Sequence, residues 1–155
     1  MASRNESLML DHQLCFALYR ASRAMIRAYA PLLEPLGLTY PQYLTLLALW
    51  EADGADALSV KRLGERLSLD SATLTPLLKR LERQGLIERR RDASDERVVR
   101  VLLSKKGRAL QQKAVRVPTQ IACRVGDVQD KAVLARLSRL REEVRELACR
   151  LEESA

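Results

Sequence analysis

The chain has 155 residues, the length of one ordinary domain, and 47% of them are hydrophobic, which suffices for a buried core. No apolar run approaches the roughly 18 residues of a membrane helix, and no signal-peptide pattern opens the sequence, so a cytoplasmic location is expected. The formal net charge is +7, and its distribution along the chain bears on the partner that the protein binds.

Cysteine and histidine are too few and too scattered to indicate a disulfide framework or a metal site. The three cysteines, Cys15, Cys123 and Cys149, are an odd number and lie far apart, and His12 is the single histidine. We therefore expect reduced thiols, no metal and no other cofactor.

Two helices are predicted before residue 58. The first covers residues 8–34, because small and apolar side chains recur along one side of a helix. The residues of that side are Leu10, Leu14, Ala17, Leu18, Ala21, Met25 and Ala28. The second helix is predicted from Pro41 to Glu51, since Thr39 precedes Tyr40-Pro41 and proline suits a first helical turn. Residues 52–56 are typical of a loop.

A helix-turn-helix is predicted from Leu58 to Arg83, with Ser68-Leu69 between its two helices. The first helix follows Ser59, a suitable cap, and has one apolar face. The second buries a leucine stripe and leaves a polar, basic face. The stripe is Leu74, Leu77, Leu78 and Leu81, and the face carries Thr73, Thr75, Lys79, Arg80 and Arg83. Two residues could cap the start of this helix. If Pro76 is its first residue, Thr75 is the cap; if the helix starts earlier, the cap is Asp70, which is favoured.

A two-stranded hairpin, the wing, is predicted after Gly85, which supplies the positive φ that ends the helix. Residues 86–91 are typical of a short strand, 92–96 of a turn, and 97–103 of a β-branched return strand. Ser104 then caps a new helix.

Positive charge is concentrated around the wing. Residues 79–108 hold 11 Lys or Arg and 5 Asp or Glu, a net +6 of the chain's +7. Such a concentration is expected of a surface that neutralises phosphates and releases condensed counterions from DNA. A solvated basic face without a partner is the alternative, but an even spread of charge would serve solubility better.

Two further helices are predicted beyond the wing. One runs from about Lys105 to Arg124 with a kink at Pro118, and Gly126-Asp127 then breaks the pattern. The last helix repeats apolar residues in alternating steps of four and three, as in a coiled-coil seam. The seam residues are Val133, Leu137, Leu140, Val144, Leu147 and Leu151. The seam packs either on a second copy or on the chain's own first helix; the dimer is favoured, because DNA-reading helices usually come in symmetric pairs.

Four segments carry a resemblance to a known family. Residues 69–82 and 95–97, with the order of the helices, resemble the MarR family of bacterial transcription regulators over nearly the whole chain. Residues 10–19 and 38–43 resemble one branch of it, the organic-hydroperoxide-resistance repressors.

The fold that this resemblance implies is mainly α with a small β-wing: a winged helix-turn-helix with long N- and C-terminal dimerisation helices. Residues 1–155 would form a single domain, in which 8–53 and 104–155 dimerise and 58–103 bind DNA.

The resemblance also implies a thiol sensor. In that branch the cysteine near the amino terminus is oxidised, which assigns sensing to Cys15 and hydrogen bonds to its sulfur to Tyr29 and Tyr40. Tyr19 lies one helical turn from Cys15, but Tyr29 lies about 21 Å away along one helix. The family geometry therefore takes Tyr29 and Tyr40 from the partner subunit. The alternative reading is a small buried hydrophobe at Cys15 and core packing for the two tyrosines.

The sequence leaves open which cysteine is the resolving one, that is, the one that forms a disulfide with the oxidised Cys15. Cys123 matches the position of a second, resolving cysteine found in part of the branch, whereas Cys149 is a third thiol without a matching position. A disulfide to either would follow oxidation of Cys15.

The predicted function is that of a homodimeric repressor, not an enzyme, which binds a pseudo-palindromic double-stranded operator and releases it when organic hydroperoxides oxidise Cys15. A regulator released by a small phenolic or lipophilic ligand between the helices is the alternative. A thiol peroxidase that turns over at Cys15 is a third hypothesis, but it leaves the basic wing unexplained. No membrane partner is expected.

DNA contacts are predicted at two places. Those of the second helix of the helix-turn-helix are Ser71, Thr73, Thr75 and Lys79. From the wing, Arg97 is expected to enter the minor groove, with Asp95 holding its guanidinium through charge-assisted hydrogen bonds. The alternative is an Asp95–Arg97 pair that only stabilises the turn.

Overall fold

The computed structural model describes residues 6–52 and 57–154. They fall into two compact units, one up to Val115 and one from Arg116 onward, which are taken separately below. Within the described ranges, no helix is both long and apolar enough to cross a membrane. The predicted loop 52–56 lies, apart from Ala52, outside those ranges.

The first helix, α1 (Leu14–Leu33), begins six residues later than the predicted start at residue 8. The chain before it forms two 3-10 turns, Glu6–Leu8 and Leu10–His12. The side chain of Gln13 donates to the carbonyl oxygens of Ser7, at 2.6 Å, and Met9, at 3.2 Å. These bonds stabilise the two turns, which are present where a continuous helix was predicted. After α1, a 3-10 turn Glu34–Leu36 ends at Gly37, whose φ is +67°.

The core of the first unit is built around α2 (Tyr40–Glu51), which begins one residue before the predicted start at Pro41. The backbone N–H of Thr39 donates to the side chain of Gln42 at 2.8 Å, which stabilises the start of α2. Most of α2 is buried, and the indole N–H of Trp50 donates to the carbonyl oxygen of Gly107 at 2.9 Å.

The helix-turn-helix consists of α3 (Val60–Leu67) and α4 (Ser71–Arg83). Ser59 caps α3 by accepting from the N–H of Arg62, and Asp70 caps α4 by accepting from the N–H of Thr73 at 2.7 Å. The choice of Asp70 is confirmed, and Pro76 lies inside α4 instead of at its start. All four leucines of the predicted stripe are buried.

The wing belongs to a three-stranded antiparallel sheet in the order β1-β3-β2. The predicted hairpin is present as β2 (Ile87–Arg91) and β3 (Val99–Leu103), with Ile87 opposite Leu103. The third strand, β1 (Leu58–Ser59), pairs with β3 and was not predicted, because two residues are too short to show a periodicity. Gly85 has a φ of +70°, which ends α4 as predicted.

The predicted helix from Lys105 to Arg124 is wrong as one element. The structure has α5 (Lys105–Ala114), capped by Ser104, and α6 (Val117–Val125). Pro118 does not kink a continuous helix but lies in the first turn of α6, where its missing N–H costs no hydrogen bond.

The second unit consists of α6 and α7 (Lys131–Glu153). Asp130 caps α7 by accepting from the N–H of Ala132 at 2.8 Å. No described residue of α7 is buried, and the seam residues Leu140 and Leu151 are 53% and 61% exposed. The apolar residues of the seam are thus present on α7, and none of those described is buried.

Candidate DNA interface and thiol site

The exposed face of α4 carries every predicted contact on that helix. Ser71, Thr73, Thr75 and Lys79 are all exposed, because the buried leucine stripe fixes which side of α4 faces the core. The N–H groups of the first turn lie at the same end as Ser71 and Thr73. There Asp70 accepts the backbone N–H of Thr73, which lowers the pKa of the Asp70 carboxyl and keeps the cap ionised at neutral pH.

At the wing, Arg97 is exposed within the turn that joins β2 and β3. The predicted hold of Asp95 on its guanidinium is wrong in this structure: Asp95 Oδ1 accepts the backbone N–H of Arg97 at 3.0 Å. The carboxylate is two residues away in a tight turn, where the nearest donor is a backbone N–H. Asp95 therefore shapes the turn through the backbone of Arg97, and its part in DNA binding stays a prediction.

The cations of the winged module, residues 58–103, differ in their partners. Four arginines lie beside carboxylates: Arg66 with Glu51, Arg89 with Glu82 at 2.6 Å, Arg90 with Glu88, and Arg100 with Asp92. A second group is exposed and, in the part of the chain that the structure describes, has no carboxylate within ion-pair distance. It includes Lys79, Arg80, Arg83 and Arg97 of the module and Lys105 just beyond it. The second group is the one available to phosphates.

Glu82 and Arg89 join α4 to the wing. Glu82 accepts the backbone N–H of Arg89 at 3.2 Å and two bonds from its guanidinium, at 3.0 and 2.6 Å. This contact lowers the pKa of Glu82. From the sequence alone, Arg89 counted only as a positive charge. Arg89 lies two residues after Ile87 and therefore on the same face of β2, a position that indicates a side chain bonded within the protein.

Cys15 is the second residue of α1, and its thiol is exposed. The reading of Cys15 as a small buried hydrophobe is therefore not what the chain shows. Tyr19, one turn later, is 55% exposed; its ring stacks near that of Phe16, with 6.5 Å between centroids, and the guanidinium of Arg23 lies 5.6 Å from its centroid.

Tyr29 and Tyr40 lie together, at the far end of α1 from Cys15. Their ring centroids are 4.9 Å apart, and Tyr43 lies 5.7 Å from Tyr29. Burial raises the pKa of Tyr29 and Tyr40, and it raises that of Tyr43 to about 12, so all three hydroxyls hold their protons at neutral pH. One chain thus gathers the two predicted tyrosines but does not bring them to its own Cys15, about 21 Å away along α1.

The other two cysteines lie in the second unit. Cys123 is near the end of α6 and Cys149 near the end of α7, and both thiols are exposed. Within residues 6–52 and 57–154, no cluster of three or more His, Cys, Asp or Glu side chains could hold a metal ion.

Comparison with known proteins places these features in a family. Residues 27–114, which include the whole winged module, match the model of the transcriptional regulator SarA/Rot family. The chain is 51% identical over 121 residues to the organic hydroperoxide resistance transcriptional regulator of Bacillus subtilis (strain 168), with 78% of this chain and 80% of the relative covered.

Two structures of AbfR, a protein of Staphylococcus epidermidis, are similar along nearly the full chain. Reduced AbfR bound to DNA has 32% sequence identity and a TM-score of 0.70, with 92% of this chain and 98% of that chain covered. Disulfide-formed AbfR has 33% identity and a TM-score of 0.65, with 96% and 95% covered.

Proposed function

Because the chain belongs to the SarA/Rot family of transcriptional regulators, with the winged-helix fold of MarR-type proteins, we propose that it is a homodimeric repressor switched by oxidation of Cys15. Organic hydroperoxides are the oxidant, as the name of the Bacillus subtilis relative indicates for that protein. The observation that carries the proposal is the presence, in one chain, of an exposed Cys15 thiol and an exposed cationic winged module.

DNA binding uses the exposed face of α4 and the exposed arginine of the wing. The α4 face, with Ser71, Thr73, Thr75 and Lys79, enters the major groove, and Arg97 of the wing reaches the minor groove. In a symmetric dimer two such modules read half-sites about 34 Å apart, which is one helical turn. The operator is therefore pseudo-palindromic.

The switch begins with the thiolate of Cys15, which attacks the terminal oxygen of the hydroperoxide. The O–O bond breaks, the sulfur is oxidised to a sulfenic acid, and the alkoxide takes up a proton and leaves as the alcohol. The thiol of Cys123 of the partner subunit then displaces the sulfenic oxygen as water and forms the disulfide. A disulfide needs Cα atoms within about 7 Å, so closing it moves helices and separates the two DNA-reading modules.

The sensor site is shared between subunits. Tyr29 and Tyr40 form a pair of protonated hydroxyls, which suits them to donate to the Cys15 thiolate of the second copy. The exposed seam of α7 provides apolar surface for the same dimer. In this proposal the dimer brings Cys15 of one subunit to Tyr29 and Tyr40 of the other.

A single oxidation of Cys15 suffices to release DNA, whereas a peroxidase must turn over repeatedly, so we assign the protein to transcription regulation in the cytoplasm and not to peroxide removal. The relatives reported above are transcriptional regulators.

The test is a binding titration with an operator duplex, before and after treatment with cumene hydroperoxide, together with a non-reducing gel. Wild-type protein is expected to release DNA and form a linked dimer, and a thiol reductant is expected to restore binding. Cys15→Ser and Cys123→Ser should both lose the linked dimer, with Cys149→Ser as the matched control that keeps it.

Three outcomes would change the assignment. Loss of the linked dimer in Cys149→Ser, with its retention in Cys123→Ser, would transfer the resolving role to Cys149. Release of Cys15→Ser from DNA by peroxide would favour a ligand-responsive regulator. Many turnovers of peroxide per protein with a thiol reductant would favour a thiol peroxidase.

A further inference from the structure

Asp92, the first residue after β2, is the centre of the hydrogen bonds in the wing turn. Its Oδ1 accepts the backbone N–H of Ser94 at 2.8 Å and also the Ser94 hydroxyl, and its own N–H donates to the carbonyl oxygen of Val98 at 2.8 Å. Only 11% of its side chain is exposed, although it lies in a surface hairpin. These contacts and that of Arg100 hold the pKa of Asp92 far below its usual range, so the group is an anion whenever the protein is folded at neutral pH.

Arg100 of β3 connects this turn to a distant part of the chain. Its Nε donates to Asp92 Oδ2, and another guanidinium nitrogen donates to the carbonyl oxygen of Ala57 at 2.8 Å. Ala57 immediately precedes β1, which leads into α3. One planar guanidinium therefore joins the wing turn, β3 and the entry to the helix-turn-helix, a geometry that suits arginine better than lysine.

The sheet register explains why Arg100 needs a carboxylate. Arg100 lies directly opposite Arg90 of β2, and like charges in that position destabilise a pair of strands. Arg90 has its own partner, Glu88, but that pair is open to solvent, with side chains 67% and 50% exposed. The Asp92–Arg100 pair is the more enclosed of the two, and its arginine is committed to contacts within the protein.

We propose that Asp92 and Arg100 are positioning residues for DNA binding: Arg100 joins Asp92 to Ala57, which fixes the wing turn against β1 and so presents Arg97 to the duplex. This inference rests on the DNA-binding function proposed above. Arg97 lies within the turn that the Asp92–Val98 hydrogen bond closes, and its own N–H is held by Asp95. A turn that is ordered before binding leaves less conformational freedom to be lost when Arg97 meets DNA.

Two substitutions separate positioning from simple electrostatics. Asp92→Asn removes a negative charge and so raises the net charge of the module by one, and attraction to phosphates alone would then tighten DNA binding. Positioning demands the opposite sign, a loss of about tenfold, the ratio expected for one charge-assisted hydrogen bond. Arg100→Lys keeps the charge but cannot make both directed bonds at once, so it should lose affinity by a similar factor.

The experiment is fluorescence anisotropy with a labelled duplex that the full-length wild-type protein selects from a randomised library. Arg90→Lys is the matched control: the same substitution at the directly opposite position of an exposed pair, expected to change affinity by less than about twofold. The second readout is a double-mutant cycle with Arg97→Ala. If Asp92 acts through Arg97, then Asp92→Asn should cause little further loss in that background, whereas a general structural defect would weaken both backgrounds equally.

The outcomes distinguish the two proposals. If the wild-type protein selects no duplex from the library, the DNA-binding function itself is wrong. If it does, wild-type or tighter affinity of Asp92→Asn, wild-type affinity of Arg100→Lys, or an undiminished effect of Asp92→Asn on top of Arg97→Ala overturns the positioning role. Melting curves check that each variant is folded at the assay temperature. Ser94→Ala, which removes a donor to Asp92 and leaves the ion pair, should show a smaller loss of the same kind and replaces either variant that does not fold.

Discussion

At the scale of the residue, Gly107 joins three parts of the first unit. A Cβ at this position would lie 2.1 Å from the carbonyl oxygen of Leu86. Its N–H donates to the hydroxyl of Ser104 at 3.0 Å, and its carbonyl oxygen accepts the indole N–H of Trp50. The absence of a side chain thus allows α5 to lie against the start of the wing and α2 at once.

Gly107→Ala is expected to lower the free energy of unfolding by about 3 kcal/mol, because the methyl group would overlap a backbone oxygen that cannot move without shifting the wing. Thermal unfolding, followed by the fluorescence of Trp50, measures the change. Lys105→Ala in the same turn is the control and should stay within about 0.5 kcal/mol of wild type. A melting temperature of Gly107→Ala equal to that of wild type would contradict the packing described here.

At the scale of the element, the wing and the tyrosine cluster each combine segments that are separate in sequence. The wing turn depends on Asp92, which is ionised through contacts with Ser94 and Arg100. The cluster depends on α1 and α2 together, since Tyr29 comes from the first and Tyr40 and Tyr43 from the second. Each therefore supports a prediction about the element as a unit.

The stability of the wing should depend on acid pH through Asp92. Its pKa in the folded state is lower than the value of about 3.9 for an unfolded Asp. Its contribution is therefore fully present above that pH and is lost as the pH falls below it towards the folded pKa. The difference in melting temperature between wild type and Asp92→Asn should be constant from about pH 5 to 7 and shrink below pH 4. A difference that stays constant down to pH 3 would show that the charge of Asp92 contributes nothing.

Tyr40→Phe should slow the oxidation of Cys15 by cumene hydroperoxide by about tenfold, because the reactive thiolate loses one of the hydrogen bonds that stabilise it. The rate is measured by trapping the sulfenic acid and quantifying it by mass spectrometry. Tyr43→Phe is the control in the same cluster: Tyr43 is 1% exposed, so its hydroxyl is not accessible to a partner's thiol. Equal rates for Tyr40→Phe and wild type would remove Tyr40 from the sensor.

At the scale of the whole molecule, the proposed function requires a second copy. In the described part of α7 no residue is buried, and the six seam residues follow the spacing of a coiled coil. The pseudo-palindromic operator proposed above requires two modules at a set separation, so a surface that holds two copies together would also set DNA affinity.

Leu140→Lys should dissociate the dimer at micromolar concentration and weaken operator binding by at least about tenfold, because a charge in an apolar seam must be desolvated. Sedimentation velocity and the anisotropy titration measure the two effects. Leu134→Lys is the matched control: the same change in the same helix, at a residue that is 44% exposed and lies off the seam. A Leu140→Lys protein that remains dimeric would show that α7 does not form the interface.

The features determined by the sequence alone are those in which cause and effect lie within a few residues. Ser59, Asp70 and Ser104 cap helices because each accepts an N–H three residues later, and Gly85 ends α4 because its φ is positive. The leucine stripe and the hairpin were predictable for the same reason, since helical and strand periodicities are local. The resemblance to hydroperoxide-responsive regulators is confirmed by relatives, whereas the single-domain division and the roles of the site residues remain predictions.

The tertiary structure decided what depends on residues far apart in the chain. Arg100 is bound to Asp92 and Ala57, and Arg89 to Glu82, so neither is the available cation that a count of charges implies. Tyr29 and Tyr40 meet only when α1 packs near α2, and β1 is a strand only because β3 lies beside it. Periodicity and propensity describe each segment by itself; hydrogen bonds and ion pairs between segments are set by packing, which no local pattern records.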